Sequence, residues 1–190
     1  MPGLFVIISS PSGGGKDTVI KALLKTIPRS AKLVTTTTRS PRPEDTDGIT
    51  YHFTDKTNFE DKIKKGEMVE YATYADNYYG VDKTELQNKL ENFDVVFSNV
   101  DVQGRRNYTE SGIDNLSIFL LPDNLEDLKK RILNRGGVNE EELKLRLETA
   151  KNEISRADEY DFQVVNKNGQ LDETIDNVAK IITSHLEMLA

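Results

Sequence analysis

The fold of this chain is decided near its start by the sequence LFVIISSPSGGGKDTVI, residues 4–20. The apolar run Leu4–Ile8 is short and rich in β-branched residues, which is typical of a strand buried on both faces of a parallel sheet. A segment of Ser, Pro and Gly follows it. Beyond that segment, apolar residues recur at helical spacing as far as Ile27, and Pro28 ends the pattern. The sequence therefore predicts a strand, a glycine-rich loop and a helix.

The segment between the predicted strand and helix has the composition of a phosphate-binding loop, or P-loop. Its glycines allow backbone N–H groups to turn towards a phosphate, and the start of the helix adds unpaired N–H groups. Lys16 is placed to reach the phosphates that take part in transfer. The alternative, a flexible turn with a solvated lysine, is disfavoured by the flanking strand and helix. The predicted nucleotide-binding residues are Ser10, Pro11, Ser12, Gly13, Gly14, Gly15, Lys16, Asp17 and Thr18.

Two positions in this loop depart from the usual pattern. Ser10 stands where a glycine usually opens the loop, and Asp17 follows the lysine where Ser or Thr is usual. The Asp17 carboxylate favours the helix N-terminus but repels nucleotide phosphates unless a magnesium ion relieves the repulsion. Thr18 is the nearest hydroxyl. We therefore expect Asp17 and Thr18 to serve the magnesium shell, partly through water.

The rest of the chain alternates between strand-like and helix-like segments. This alternation predicts an α/β protein in which helices flank a parallel sheet and ligands gather at the carboxyl ends of the strands. Residues 33–81 interrupt it with short stretches rich in Thr, Tyr, Asp and Gly, which predict a small β-rich insertion. Further strands are predicted at 95–100, 116–121 and 162–165, and further helices at 125–134, 140–156 and 171–189.

The composition limits the classes of function. The formal net charge is −7, with 25 Lys and Arg against 32 Asp and Glu, which argues against a general nucleic-acid binder. The chain has no cysteine, so disulfides and thiolate metal sites are excluded. No apolar run approaches the roughly 18 residues that span a bilayer. We expect a cytoplasmic protein that binds neither nucleic acid nor membrane, as a monomer or a homo-oligomer.

A second candidate anion site follows at residues 35–43, TTTTRSPRP. Arg39 and Arg42 lie three positions apart around Pro41. Guanidinium groups bind phosphate through forked, charge-assisted hydrogen bonds, and the proline restrains the backbone between them. Taken alone, a polar loop with solvated arginines explains these residues equally well.

Together with later segments, this arginine motif resembles the guanylate kinase family. The resemblance runs in order and with the family's spacing over essentially the whole chain, and the segments Thr-Thr-Arg-x-Pro-Arg and Asn-Tyr-Tyr-Gly are specific to that family. The segments that carry it are 35–43, Asp47-Gly48, Tyr51-His52-Phe53, 66–71 (GEMVEY), 77–80 (NYYG), 101–104 (DVQG), Arg131, Arg135-Gly136, Arg146-Leu147 and 157–161 (ADEYD).

The resemblance implies a fold and a reaction. The fold is a P-loop parallel-sheet core flanked by helices, with an inserted small β-rich GMP-binding subdomain and a helical lid. The implied parts are a core of residues 1–33, 82–133 and 158–190, a subdomain at 34–81 and a lid at about 134–157. The implied reaction is ATP-dependent phosphorylation of GMP, and of dGMP, to GDP or dGDP with release of ADP. ATP and GMP would be the substrates, Mg²⁺ the cofactor, and purine nucleotide metabolism and GMP recycling the setting.

The resemblance also implies roles for individual side chains. Lys16 and the arginines neutralise the transferring phosphoryl group. Glu70 reads the N1–H and exocyclic amine of guanine, a donor pair that adenine lacks, and Asp101 lies near the magnesium ion. The implied catalytic residues are Lys16, Arg42, Arg131, Arg135 and Arg146; Asn166 is implied on the ATP side; and the implied GMP-binding residues are Thr35, Arg39, Arg42, Tyr51, Glu70, Tyr79, Val81, Asn99 and Asp101.

Three positions depart from the family's pattern. Val81 stands where Ser or Thr is usual, Asn99 stands where Asp or Glu is usual, and Lys167 replaces an acid beside Asn166. Two alternatives therefore stay open. One is a P-loop kinase for another phosphorylated acceptor, such as a sugar phosphate. The other is an inactive scaffold domain that binds peptides, although such domains usually lose the P-loop lysine and lid arginines that this chain retains.

Overall fold

The computed structural model of the chain describes residues 2–134 and 139–189. The strands are β1 (Leu4–Ser9), β2 (Ser30–Lys32), β3 (Thr36–Thr37), β4 (His52–Phe53), β5 (Met68–Tyr74), β6 (Asn77–Asp82), β7 (Val95–Ser98), β8 (Leu116–Pro122) and β9 (Phe162–Asn166). The helices are α1 (Lys16–Thr26), α2 (Lys56–Lys64), α3 (Lys83–Asn92), α4 (Val102–Glu110), α5 (Leu125–Asn134), α6 (Glu140–Ile154) and α7 (Leu171–Leu189), with a 3₁₀ turn at Ala157–Glu159.

The main sheet has five strands in the order β2-β7-β1-β8-β9, and every neighbouring pair is parallel. The central strand β1 is buried along its whole length because its side chains alternate between two apolar layers. Val6 and Ile8 pack in a layer with α1 and α7, whereas Phe5 and Ile7 pack in a layer with Tyr108 of α4. This burial on both faces fixes the end of β1, from which the P-loop begins.

A second, smaller sheet lies between β2 and α3 in the chain. Its strand order is β4-β3-β6-β5, with β3 and β4 parallel and the other pairs antiparallel. Helix α2 packs on it through Phe59, whose buried ring stacks on Tyr78 with ring centroids 5.1 Å apart. The buried Asp82, at the end of β6, accepts a hydrogen bond from Thr36 and pairs with Lys62. Because Asp82 is also the N-cap residue of α3, these contacts join the small sheet to the main body.

The fold class predicted from the sequence is confirmed by this architecture. Several details differ from the prediction: helices α3 and α4 were not predicted, and α6 ends at Ile154 rather than at residue 156. Residues 33–81 include the helix α2, which is capped by Asp55 through a hydrogen bond from the Asn58 N–H at 2.8 Å. The strand predicted at 95–100 ends at Ser98, because the chain then leaves the sheet to reach the start of α4 at Asp101. In the ranges 2–134 and 139–189, no helix has the length and apolar character needed to cross a membrane.

Candidate active site

The loop after β1 has the conformation of a phosphate-binding loop. Gly13 and Gly15 have φ angles of 84° and 95°, in the left-handed region that favours glycine. A Cβ atom on Gly14 would lie 2.6 Å from the Cβ atom of Ser10, so the unusual serine and this glycine fit closely against each other. The Gly14 N–H donates to the Pro11 carbonyl at 2.7 Å. Lys16 then begins α1, which places the helix N-terminus at the loop.

Asn166, at the end of β9, supports this loop. Its side chain is only 5% exposed, donates to the Gly14 carbonyl at 2.8 Å and accepts from the Thr174 hydroxyl at 3.1 Å. Its own carbonyl accepts a hydrogen bond from the Arg131 guanidinium at 2.9 Å. The residue assigned to the ATP side by resemblance therefore contacts the loop itself and ties it to α5 and α7.

Two cavities border the loop. A small one of about 170 Å³ is lined by loop residues 10–17, by Asp101 and by Glu153. A second one, of about 340 Å³, lies on the outer side and includes Thr18, Arg131 and Asn166 in its wall. Asp17 and Thr18, which we expected to serve one magnesium shell, thus face different cavities.

Glu153 is a candidate site residue that sequence reasoning missed. It lies near the end of α6, in the wall of the 170 Å³ cavity with Ser12 of the P-loop, and its Oε2 atom is buried without a hydrogen-bond partner among the described residues. Burial raises the pKa of its carboxyl group and nearby Asp101 adds to the rise, while Lys16 opposes it. Helix α6 reaches the loop because Ala150 packs it against α5. A glutamate in a charged helix carries no motif, so only the tertiary contact reveals it.

A third cavity, of about 310 Å³, lies between the end of the main sheet and the small sheet. Asp101 lines both this cavity and the 170 Å³ cavity, so the two adjoin. Its carboxylate also caps α4 by accepting from the Gly104 N–H at 2.8 Å. Lys32 and Asn107, which the sequence did not single out, lie in the wall as well. The sequence-predicted residues that the structure brings together here are Thr35, Tyr51, Glu70, Tyr79, Asn99 and Asp101.

Glu70 is the most perturbed acid in this third cavity. Burial, and to a smaller extent the nearby charge of Asp101, raise the pKa of its carboxyl group to about 7, against the effect of a hydrogen bond with Asn107. A carboxyl group in this state accepts hydrogen bonds when ionised and donates one when protonated. In its ionised form, the Glu70 carboxyl group is suited to accept hydrogen bonds from a ligand that offers two N–H donors.

The predicted phosphate-binding arginine Arg39 lies beside the two tyrosines of the same cavity. The centre of its guanidinium group is 5.3 Å from the centroid of the Tyr51 ring, which in turn lies 6.0 Å from the Tyr79 ring. The guanidinium pairs with Asp45 at 2.7 Å, and the Arg42 N–H donates to the same carboxylate at 2.8 Å. Asp45 therefore holds both predicted anion-binding arginines near each other.

The remaining predicted residues lie elsewhere. Val81 is 2% exposed and packs in an apolar layer with Val69, rather than at the cavity. The Arg42 and Arg146 side chains are exposed, the latter on α6. Arg135 lies outside the described residues.

The site combines a structured P-loop with an adjoining cavity that contains two tyrosines and the Glu70 carboxyl group, with Arg39 beside the tyrosines. This combination defines a P-loop kinase that acts on a small phosphorylated compound. The chain belongs to the guanylate kinase family, whose family model matches residues 3–185, and it is a nucleotide kinase.

Individual relatives support this assignment. The guanylate kinase of Rickettsia bellii (strain RML369-C) is 41% identical over 181 residues, which cover 95% of this chain and 93% of the relative. The guanylate kinase of Oceanobacillus iheyensis is 40% identical over 186 residues, covering 97% and 89%. The crystal structure of guanylate kinase from Anaplasma phagocytophilum is similar with a TM-score of 0.74 at 28% identity, over 97% of this chain and 87% of that one.

Proposed function

We propose that this protein transfers the γ-phosphoryl group of ATP to GMP, and to dGMP, and releases ADP with GDP or dGDP. The observation that carries the proposal is that the P-loop cavity and the 310 Å³ cavity adjoin, with Asp101 in both walls. Two nucleotides bound there would meet at their phosphates. We place this reaction in the purine nucleotide metabolism of the cytoplasm, where it recycles GMP.

In the 310 Å³ cavity, which we call the acceptor cavity, GMP is bound through both its phosphate and its base. Arg39 and the two tyrosines beside it bind the phosphate, with Arg42 and Thr35 completing the anion site. Ionised Glu70 accepts from the guanine N1–H and exocyclic amine. This contact selects guanine because adenine lacks that donor pair.

In the 170 Å³ cavity, which we call the donor cavity, the P-loop N–H groups and Lys16 bind the ATP phosphates. Arg131, Arg135 and Arg146 neutralise the phosphoryl group in transfer. The GMP phosphate oxygen is an adequate nucleophile, so positioning and electrostatic stabilisation supply the rate without a dedicated base. We assign the acceptor subdomain to residues 34–81 and the lid, which includes α6, to about 134–157; its closure excludes water that would hydrolyse ATP.

The residues around the small cavity fit a magnesium ion. Asp17 and Asp101 contribute exposed carboxylates to its wall, beside Lys16. In kinases Mg²⁺ binds through one or two carboxylates and the substrate phosphates, so a full protein cage is not required. This agrees with the finding that residues 2–134 and 139–189 contain no cluster of three or more His, Cys, Asp or Glu arranged as metal ligands. When bound, the ion would neutralise charge on the phosphates.

A coupled assay of ADP release, with GMP, dGMP, AMP, CMP and UMP as acceptors, tests the proposal. We expect turnover with GMP and dGMP and little with the other three. Activity with none of the five would refute the enzymatic function and favour the scaffold alternative. A preference for AMP would refute the role of Glu70 in selecting guanine.

A further inference from the structure

Two residues that depart from the family's pattern contact each other in the structure. Asp17 stands in the P-loop where Ser or Thr is usual, and Asn99 follows β7 where Asp or Glu is usual. The Asn99 amide donates a hydrogen bond to the Asp17 carboxylate at 2.6 Å, between residues 82 positions apart. An aspartate at both positions would bring two negative charges to this distance, which is unfavourable. The two departures are therefore coupled.

Position 99 reaches the P-loop because of the strand order. Strand β7 lies beside β1 and parallel to it, with Ser98 in register with Ile7. The residue after β7 therefore emerges next to the start of α1. In P-loop enzymes, the hydroxyl that follows the lysine and an aspartate at a strand end together hold the magnesium ion. Positions 17 and 99 occupy these two places. Here the carboxylate is on the P-loop, in Asp17, and the neutral side chain is at the strand end, in Asn99.

The surroundings of Asp17 are those of a residue that serves the phosphates. It lines the 170 Å³ cavity with Lys16 and Asp101. Thr18, the nearest hydroxyl, lines the 340 Å³ cavity instead. It therefore does not replace the hydroxyl that position 17 lacks. Lys32 approaches Asp17 only to 4.0 Å, and the two side chains are 41% and 60% exposed, so this ion pair contributes little. Asn99 is the closer partner that orients Asp17.

We propose that Asp17 and Asn99 form an exchanged pair, in which the carboxylate that serves magnesium lies on the P-loop and its hydrogen-bond donor lies at the end of β7. This inference rests on the proposed function. It makes Asn99 a positioning residue for Asp17 rather than a reader of guanine. Asp17 accepts the amide hydrogen through Oδ1 and keeps Oδ2 for the metal shell.

Calorimetry of ADP binding, with and without Mg²⁺, tests the pair without GMP or turnover. The quantity of interest is the magnesium gain, the factor by which Mg²⁺ tightens ADP binding. We expect Asp17→Thr and Asn99→Ala each to reduce this gain by about tenfold or more. The double variant Asp17→Thr/Asn99→Asp rebuilds the usual arrangement and recovers most of the gain. Asp172→Asn, which removes a carboxylate from the first turn of α7, is the matched control and leaves the gain unchanged.

Three results would overturn the proposal. The wild type could show no magnesium gain, or Asp17→Thr could leave the gain unchanged. The double variant could also show a gain no larger than that of the single variant with the smaller gain. Asp17→Asn keeps the side-chain shape and removes the charge, so it provides the test if the double variant fails to fold. It should lose as much gain as Asp17→Thr, and a normal gain would also overturn the proposal. A wild type with the magnesium gain that phosphorylates no GMP would refute the proposed function alone.

Discussion

The donor side and the acceptor side of this active site are held in place by different means. On the donor side, the P-loop follows a strand with residues at 0% exposure, and the buried Asn166 side chain fixes its backbone. On the acceptor side, β3 and β4 have two residues each, and the predicted anion site depends on the pair between Arg39 and Asp45. The main chain thus organises the donor site in advance, whereas side-chain pairs organise the acceptor site.

This difference bears on how each side meets its ligand. The P-loop backbone is set by the φ angles of its glycines and by the Asn166 contact, so the proposed phosphate site consists largely of main-chain geometry. Arg39, in contrast, already has an anionic partner in Asp45, which offers the same forked acceptor as a phosphate. We therefore expect substitutions on the donor side to act mainly on turnover and substitutions on the acceptor side to act mainly on GMP binding.

The largest expected effect is that of Lys16→Ala on the donor side. Because the proposed role of Lys16 is to stabilise charge in the transition state, we expect turnover with GMP to fall by about 10³-fold. Lys16 begins α1 at the edge of the P-loop cavity, so the thermal midpoint should change little. Lys21→Ala, an exposed lysine in the same helix, is the control for charge. Near-normal turnover in Lys16→Ala would contradict the role of the P-loop lysine.

The same contrast explains how much could be predicted from the sequence. The P-loop was predictable because its strand, glycines and helix are contiguous in the chain. Helices α5 and α7 have the predicted bounds because the spacing of their apolar residues is regular. Six predicted residues of the acceptor cavity do meet, but they were found through the resemblance and not through periodicity. Short strands such as β3 leave no periodic signal.

Other features could not be predicted because they depend on tertiary contacts. Glu153 meets the P-loop only through the packing of α6, and Asn99 meets Asp17 only because β7 adjoins β1. Val81 was assigned to the GMP site by its place in a motif, yet it lies in an apolar layer with Val69, although regular alternation along β6 would place it on the face of Tyr79. A position in a motif identifies the backbone location but not the direction of the side chain.

The second prediction concerns the pH dependence of GMP binding through Glu70. The pKa of about 7 in the folded protein means that Glu70 is partly protonated near neutral pH, although the proposed contact with guanine requires its carboxylate form. We expect the KM for GMP to rise as pH falls below 7, by about tenfold for each unit well below the pKa. Glu70→Gln should raise KM at every pH and remove this dependence. A wild-type KM that stays flat between pH 6 and 8 would contradict the assignment.

The same pKa has a consequence for stability. The folded state holds the Glu70 proton more tightly than the unfolded state, because the pKa is raised from 4.5 to about 7. The free energy of unfolding should therefore fall as pH rises through this window. In Glu70→Gln this part of the pH dependence should vanish. Thermal unfolding of both proteins between pH 4.5 and 8 measures the difference.

The smallest expected effect tests the Asp45 pair of the acceptor side. Asp45→Asn keeps an acceptor for the Arg42 N–H but removes the charge that neutralises Arg39. We expect a lower thermal midpoint, because Arg39 loses its partner, and tighter GMP binding by about threefold, because the phosphate no longer competes with a carboxylate. Glu44→Gln, an exposed neighbour with the same change of charge, is the control in calorimetry with GMP at low salt. If Asp45→Asn lowers stability but leaves GMP affinity unchanged, Arg39 serves the subdomain's structure and not the phosphate, and the acceptor site would then rest on Arg42 and the tyrosines.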